Sequence, residues 1–297
     1  MIKKIIFSFF ILLSYNTIAN ATMIVKNNYG IKYVENSTVE ELEKLYVDHK
    51  YTNFKKIATQ EYPAIFLKSF PKDFREINSL NYRNELFIKI LTPLALKINQ
   101  EIQNERDAVL NIEKSFQKNN ALKDYDIEKL EALSTKYNFF TRAKNTGRIN
   151  EQLHALKLRI NQIPPSILIA ASAMETNWGF SRVAHEANSL YKEKVWYTTE
   201  GLEPLENKDD GYRFKIFDSL IDSMRSFALT FNSDINYQSV WFARENLKEM
   251  HGLIVGENLA YALSTSSTLP NFAGILNYTT AFYNLFILDM GQLKIGD

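Results

Sequence analysis

The stretch Ile163-Pro-Pro-Ser-Ile-Leu-Ile-Ala-Ala-Ser-Ala-Met-Glu175-Thr-Asn-Trp-Gly179 decides the fold. Two prolines open it, and proline is tolerated in the first helical turn, where its missing N–H has no partner in any case. From Ile167 to Met174 the only polar side chain is Ser172. A helix apolar on every side belongs in the middle of a domain. Gly179, after Trp178, suits a left-handed helix stop. Leu168, Ala171 and Glu175 share one face, so a carboxylate continues an apolar stripe at the C-terminal end. Burial disfavours its ionised form, and the negative end of the helix dipole acts in the same direction. A carboxyl held protonated near neutrality is what a glycosidase needs as its general acid. The same position also suits a structural acid, solvated or ion-paired.

Working outward, the N-terminus reads as a secretory leader. Lys3 and Lys4 precede an apolar core from Ile5 to Leu13, and Ala19-Asn20-Ala21 supplies a cleavage site before Thr22. That core is shorter than the roughly 20 residues a membrane span needs. The protein is therefore expected outside the cytoplasm, in the periplasm, with residues 1–21 removed and no later segment crossing a membrane. The 297-residue chain has no cysteine, which excludes a disulfide framework and a cysteine nucleophile, so the fold depends on its core. Of 35 basic residues two leave with the leader, against 34 acidic ones. That near-neutral balance argues against nucleic acid as a partner.

Thr22 to Asn36 shows no steady period, Ser37-Thr38-Val39-Glu40 resembles a capping box for a short helix through Tyr46, and residues 47–80 read as irregular. Leu86, Ile90, Leu94, Ile98 and Ile102 recur every four residues, predicting a long helix over about 82–117 that Pro93 should kink or divide. A second helix starts at Asp126, and a third carries Ile149, Leu153, Leu156 and Ile160 towards the central stretch. Beyond Gly179 the period changes from helical to alternating. Val195–Thr199 and Tyr212–Ile216 predict a β-hairpin with a long tip around Gly201, Pro204, Asn207 and Gly211. Asp218 is placed to cap the next helix, and further helices are expected at about 237–249, 252–264 and 271–288. The architecture is mainly α, with one small β insertion directly after Glu175.

Other chemistries find little support. There is no G-x-S-x-G elbow and no phosphate-cradling glycine loop. His49, His154, His185 and His251 show no H-E-x-x-H spacing, so neither a metal nor another cofactor is expected. Carboxylate chemistry remains.

Met174-Glu175-Thr-Asn-Trp-Gly179, Ser181-Arg182 and Ala187-Asn188-Ser-Leu190-Tyr191 together resemble the exported glucosaminidase family that cleaves peptidoglycan. The helices Arg83–Arg106 and Asp126–Pro165, with Gly201-Leu-Glu-Pro204 and Phe217-Asp218-Ser-Leu220, look like its Bax-type subgroup, whose domain also takes its general name from mannosyl-glycoproteins. The resemblance covers roughly residues 80–290. It implies a lysozyme-like α+β catalytic domain at 146–290, preceded by a helical region at 81–145 and an N-terminal extension at 22–80. It also implies endo-β-N-acetylglucosaminidase activity on the peptidoglycan glycan strand.

Carried over residue by residue, Glu175 matches the family's catalytic acid, and Glu200 sits where some members hold a second acid on the hairpin. Glu203 is a nearby substitute, and the substrate's own acetamido group is a third route. Trp178, Tyr191, Trp196, Tyr197 and Phe272 are candidate sugar contacts, of which Trp178 and Tyr191 fall inside the matched motif. The sequence departs from the family in having Phe272 within Pro270-Asn271-Phe272-Ala273, where Tyr is usual, and Lys192 after Tyr191, where many members have Gly. Two other readings stay open: lytic transglycosylase-type cleavage, which also needs one acid, and a non-catalytic cell-wall binding or scaffold protein on the same fold.

Overall fold

The computed structural model describes residues 22–56, 60–139, 146–206, 210–251, 254–264 and 271–295. The expected leader at 1–21 lies outside them. Residues 22–36, which show no steady period, form an antiparallel hairpin in which β1 (Ile24–Asn28) pairs with β2 (Ile31–Glu35), Ile24 opposite Glu35. Tyr29 and Gly30 turn it at φ 48° and 76°, the paired left-handed values of a type I′ turn. All five β1 side chains are exposed, so no apolar alternation marks the strand. The capping box of α1 (Val39–Asp48) sits one residue later than expected. Thr38 Oγ1 accepts from the Glu41 N–H at 3.2 Å, and the Glu41 carboxylate accepts from the Thr38 N–H at 2.8 Å. The stretch read as irregular contains β3 (Glu61–Pro63) and β4 (Ile65–Leu67), each three residues long and too short to show a period. β4 runs parallel to β2, and β3 runs parallel to the C-terminal strand β7 (Gln292–Lys294).

The long helix α2 (Leu80–Asn119) is not divided at Pro93. Proline removes the N–H that would bond the carbonyl four residues earlier, here Lys89. The Tyr51 hydroxyl donates to that carbonyl at 3.2 Å, so the buried acceptor is satisfied from the N-terminal segment and the helix continues. The predicted stripe Leu86, Ile90, Leu94, Ile98 and Ile102 is buried. α3 (Asp124–Lys136) and α4 (Thr146–Arg159) follow.

The end of α4 leaves carbonyls without helical partners, and arginines supply donors. Arg244 of α8 (Gln238–His251), fully buried, donates to the carbonyls of Asn161 at 3.0 Å and Arg159 at 3.2 Å and to Asn232 Oδ1 at 2.7 Å. Arg106 of α2 donates to the carbonyls of Lys157 and Ile160. Cations at the negative end of a helix are favourably placed. Asn99 then takes both backbone groups of Ile163, at 2.7 and 2.9 Å. The chain is thus held on both sides just before α5 (Pro165–Thr176), which packs against α2.

After α5 come α6 (Arg182–Glu186) and the hairpin strands β5 (Lys194–Trp196) and β6 (Tyr212–Phe214), with Trp196 opposite Tyr212. Both strands are shorter than expected: Tyr197, at φ 54°, follows the end of β5, and Leu202 folds back to bridge Phe214 at the end of β6. Residues 207–209 of the predicted tip, including Asn207, lie outside the described residues. α7 (Leu220–Ser233) is capped by Ser219, not Asp218: Ser219 Oγ accepts from the Asp222 N–H. α9 (Gly256–Ser264) and α10 (Phe272–Tyr283) complete the helices. The expected run to 288 breaks at Asn284, φ 55°, into a 3-10 turn over Leu285–Met290. Buried side chains from Val34 to Leu288 form one connected cluster. Residues 22–80 and 81–145 therefore share their core with the segment that carries Glu175. Among the described residues no helix is long and apolar enough to cross a membrane.

Candidate active site

α5 ends in an unusual turn. Asn177, Trp178 and Gly179 hold φ of 50°, 57° and 76°, three left-handed residues in succession. Side chains fix this conformation. Thr176 Oγ1 donates to the Ser172 carbonyl at 2.7 Å and accepts from the Gly179 N–H at 2.9 Å. His185 Nε2 lies 2.8 Å from the Gly179 carbonyl and, facing an acceptor, donates to it. A Cβ on Gly179 would lie 3.0–3.1 Å from Phe87, Phe70 and Phe74, so glycine is required by space as well as by φ. Phe70 and Phe74 come from the N-terminal extension, which thereby forms the floor beneath the turn.

Glu175 sits one residue before the end of α5 with its side chain 31% exposed. Burial raises its pKa above 4.5, while Lys192 and Lys194 act in the opposite direction. Lys192 Nζ stands 4.0 Å from Glu175 Oε2. Among the described residues no hydrogen bond reaches the carboxylate. Tyr237, stacked on Phe231 at 4.9 Å, is close enough for the Glu175 charge to raise its hydroxyl pKa, after burial and Asp234. The acid therefore has a cationic side, contributed by the hairpin approach, and an aromatic side from the end of α7.

The hairpin is fastened beside it. Asn188, φ 49°, donates to the Phe217 carbonyl at 3.0 Å, and the Leu190 N–H donates to Ser223 Oγ at 2.9 Å. Tyr191 donates its hydroxyl to the Leu168 carbonyl at 3.1 Å and stacks on Phe227 at 3.9 Å. Beyond it, Lys194, Trp196, Tyr212 and Phe214 share one face of the hairpin. Trp196 and Tyr212 lie 5.5 Å apart, and the Lys194 ammonium stands 3.9 Å over the Tyr212 ring. A cleft of about 690 Å³ along the strands is lined by Lys194, Trp196, Glu200, Gly201 and Lys215 among others.

Residues 152–280 match the glucosaminidase family model, described as mannosyl-glycoprotein endo-β-N-acetylglucosaminidase. This segment is a glucosaminidase-family domain. The chain is also similar to the crystal structure of the catalytic domain of the autolysin Auto from Listeria monocytogenes, at 19% identity over 60% of this chain and 96% of that chain, with a TM-score of 0.34. No curated protein matches the chain.

All the candidate site residues fall inside the glucosaminidase domain, but they are not gathered at one point. Trp178 packs against Tyr283 at 4.5 Å and Phe87 at 5.7 Å, and the Tyr191 hydroxyl and one ring face are engaged inside the protein. These contacts give both residues a packing role. Trp196 and Tyr197 are 53% and 94% exposed, leaving their rings open to a ligand. Glu200 is exposed, its N–H donating to Thr198 Oγ1 at 3.0 Å, and among the described contacts it does not meet Glu175. The Glu203 carbonyl accepts from Arg182. Phe272 opens α10 and packs against the core; Pro270 before it lies outside the described residues. Among the described residues no group of three or more His, Asp or Glu is placed to hold a metal ion.

Sequence reasoning did not single out Tyr237, Lys194 or Tyr212 as site residues. No motif marks Tyr237, since it reaches Glu175 through the packing of α7. Period-two alternation places Lys194 and Tyr212 with Trp196 and was a usable signal for both.

Proposed function

We propose that the glucosaminidase domain hydrolyses the β-1,4 N-acetylglucosaminyl linkages of peptidoglycan, with Glu175 as general acid. One observation carries this reading: a half-buried carboxyl, raised by desolvation and without a hydrogen bond among the described residues, stands beside Lys192 at the approach to a hairpin whose aromatic rings are exposed. A glycosidic oxygen placed there receives the Glu175 proton as the C–O bond breaks. Trp196 supplies a flat face on which a sugar ring stacks. Glu200 then acts as base towards the attacking water once substrate draws the hairpin across the cleft. Without that movement, the substrate's acetamido oxygen attacks the anomeric carbon instead. The catalytic segment is 146–290, and residues 22–145 serve as its scaffold. The protein acts outside the cytoplasm, in the periplasm, after loss of residues 1–21.

Digestion of purified sacculi tests the assignment. Mass spectrometry of the released fragments is expected to show reducing N-acetylglucosamine ends. Anhydro-muramyl ends would instead identify lytic transglycosylase chemistry, a reading favoured by the lack of contact between Glu200 and Glu175. Binding to sacculi without solubilisation would leave a scaffold protein.

A further inference from the structure

The two lysines beside Glu175 carry an inference about which glycan the site selects. Lys192 holds φ 48°, the left-handed conformation that glycine adopts without cost. A lysine held there is turned towards Glu175, 4.0 Å away. Lys194, two residues on, is exposed, and its ammonium stands over the Tyr212 ring. Among the described residues neither lysine forms an ion pair with Glu200, which lines the hairpin cleft with Lys194. The neighbouring Glu193 is already committed, accepting from Lys215 at 2.7 Å and from Ser226 Oγ at 2.7 Å.

A general acid works in its protonated form. When Glu175 is neutral, Lys192 loses its only carboxylate partner among the described residues and Lys194 has none. The site in its working state therefore presents two uncompensated cations beside an aromatic face. Such a surface is complementary to a sugar chain that carries carboxylates and not to a neutral one.

We infer that Lys192 and Lys194 form a carboxylate-binding subsite that selects acidic N-acetylated glycans, whose muramyl units bear lactyl or stem-peptide carboxylates, over neutral N-acetylglucosamine polymers. This rests on the glycan-cleaving reading above but is separable from it by experiment. The aromatic rings take the sugar faces, and the ammonium groups take the carboxylates projecting from alternate sugars.

The test measures binding of the full mature chain carrying Glu175→Gln, a neutral counterpart of the protonated acid. Three probes are compared: glycan strands from sacculi, the same strands with carboxylates converted to methylamides, and N-acetylglucosamine oligomers. The acidic strands are expected to bind about fivefold more tightly than the methylamidated ones at low salt, as two solvent-exposed charge contacts allow. The difference should shrink at high salt. Adding Lys192→Met and Lys194→Met should bring acidic strands to the affinity of methylamidated ones, and Lys194→Met alone, at an exposed side chain, should remove part of the difference. Equal binding of acidic and methylamidated strands, or discrimination that survives both substitutions, overturns the subsite. Discrimination by a protein whose wild type releases no fragments upholds the subsite and overturns the hydrolase reading. Fragment release without discrimination does the reverse.

Discussion

The two ends of α5 each hold a carboxyl group with a raised pKa, and the two are built for different work. At the N-terminal end Asp289 accepts from the Ser166 N–H at 2.8 Å, Ser166 Oγ at 2.8 Å and the Gly256 N–H at 2.9 Å. Burial nevertheless raises it to about 6. It bonds the first turns of both α5 and α9, and its oxygens are occupied. At the C-terminal end Glu175 is raised by burial too, but among the described residues no hydrogen bond holds it and its nearest cation stands at 4.0 Å. A perturbed acid alone does not mark a catalytic site. What separates the two is whether the lone pairs and proton are free for a substrate. On that criterion Asp289 is a structural clamp and Glu175 is available for chemistry.

Substitutions at the two ends should separate these roles. The largest loss of stability is expected from Gly179→Ala, because alanine disfavours φ 76° and its Cβ would press on three phenylalanine rings. A cost of about 3 kcal/mol follows from the left-handed strain plus overpacking, read as a lowered denaturant midpoint. Asp289→Ala should cost somewhat less, about 2 kcal/mol, through the lost caps. Its pH dependence has a definite sign. The native carboxyl holds its proton more tightly than the unfolded one at 3.8, so the native state binds more protons between about pH 4 and 6. The stability that Asp289 contributes is therefore complete below that window and declines as pH rises through it. Asp289→Asn should flatten this decline in chemical denaturation measured from pH 4 to 7. The smallest effect, with the same pH sign as at Asp289, belongs to Glu175→Gln. Glu175 is raised above 4.5, so its stabilising contribution is present below that pH and lost above it. The variant should therefore gain thermal stability relative to wild type on going from pH 4 to pH 7. An equal or larger loss at pH 7 would show that the Glu175 charge is well compensated in the fold.

Much of the helical body was legible in the sequence. The α2 stripe and the all-round apolar α5 are long periodic signals, and they place Glu175 at the end of a buried helix. The hairpin at 194–214 was legible through its alternation, although not the left-handed Tyr197 that follows its first strand. The unbroken passage of α2 through Pro93 was not legible, because the Tyr51 hydroxyl that satisfies Lys89 lies far away in sequence. The first hairpin was hidden because β1 buries nothing, and β3 and β4 because three residues show no period. Within the candidate site, the left-handed stop at Gly179 was readable, but not the Thr176 hydroxyl that accepts from its N–H. Phe70, Phe74, Tyr237 and Asp289 reach α5 only through tertiary packing and carry no local signature.

The central claim is that Glu175, and not the other raised acid, moves the proton. Its most direct test is turnover of purified glycan strands by Glu175→Gln and Asp289→Asn, each compared with wild type on protein shown to be folded. The account predicts that Glu175→Gln lowers kcat by about a thousandfold, the scale of a lost general acid, while Asp289→Asn stays within about fivefold of wild type. Turnover by Glu175→Gln close to the wild-type rate would contradict it.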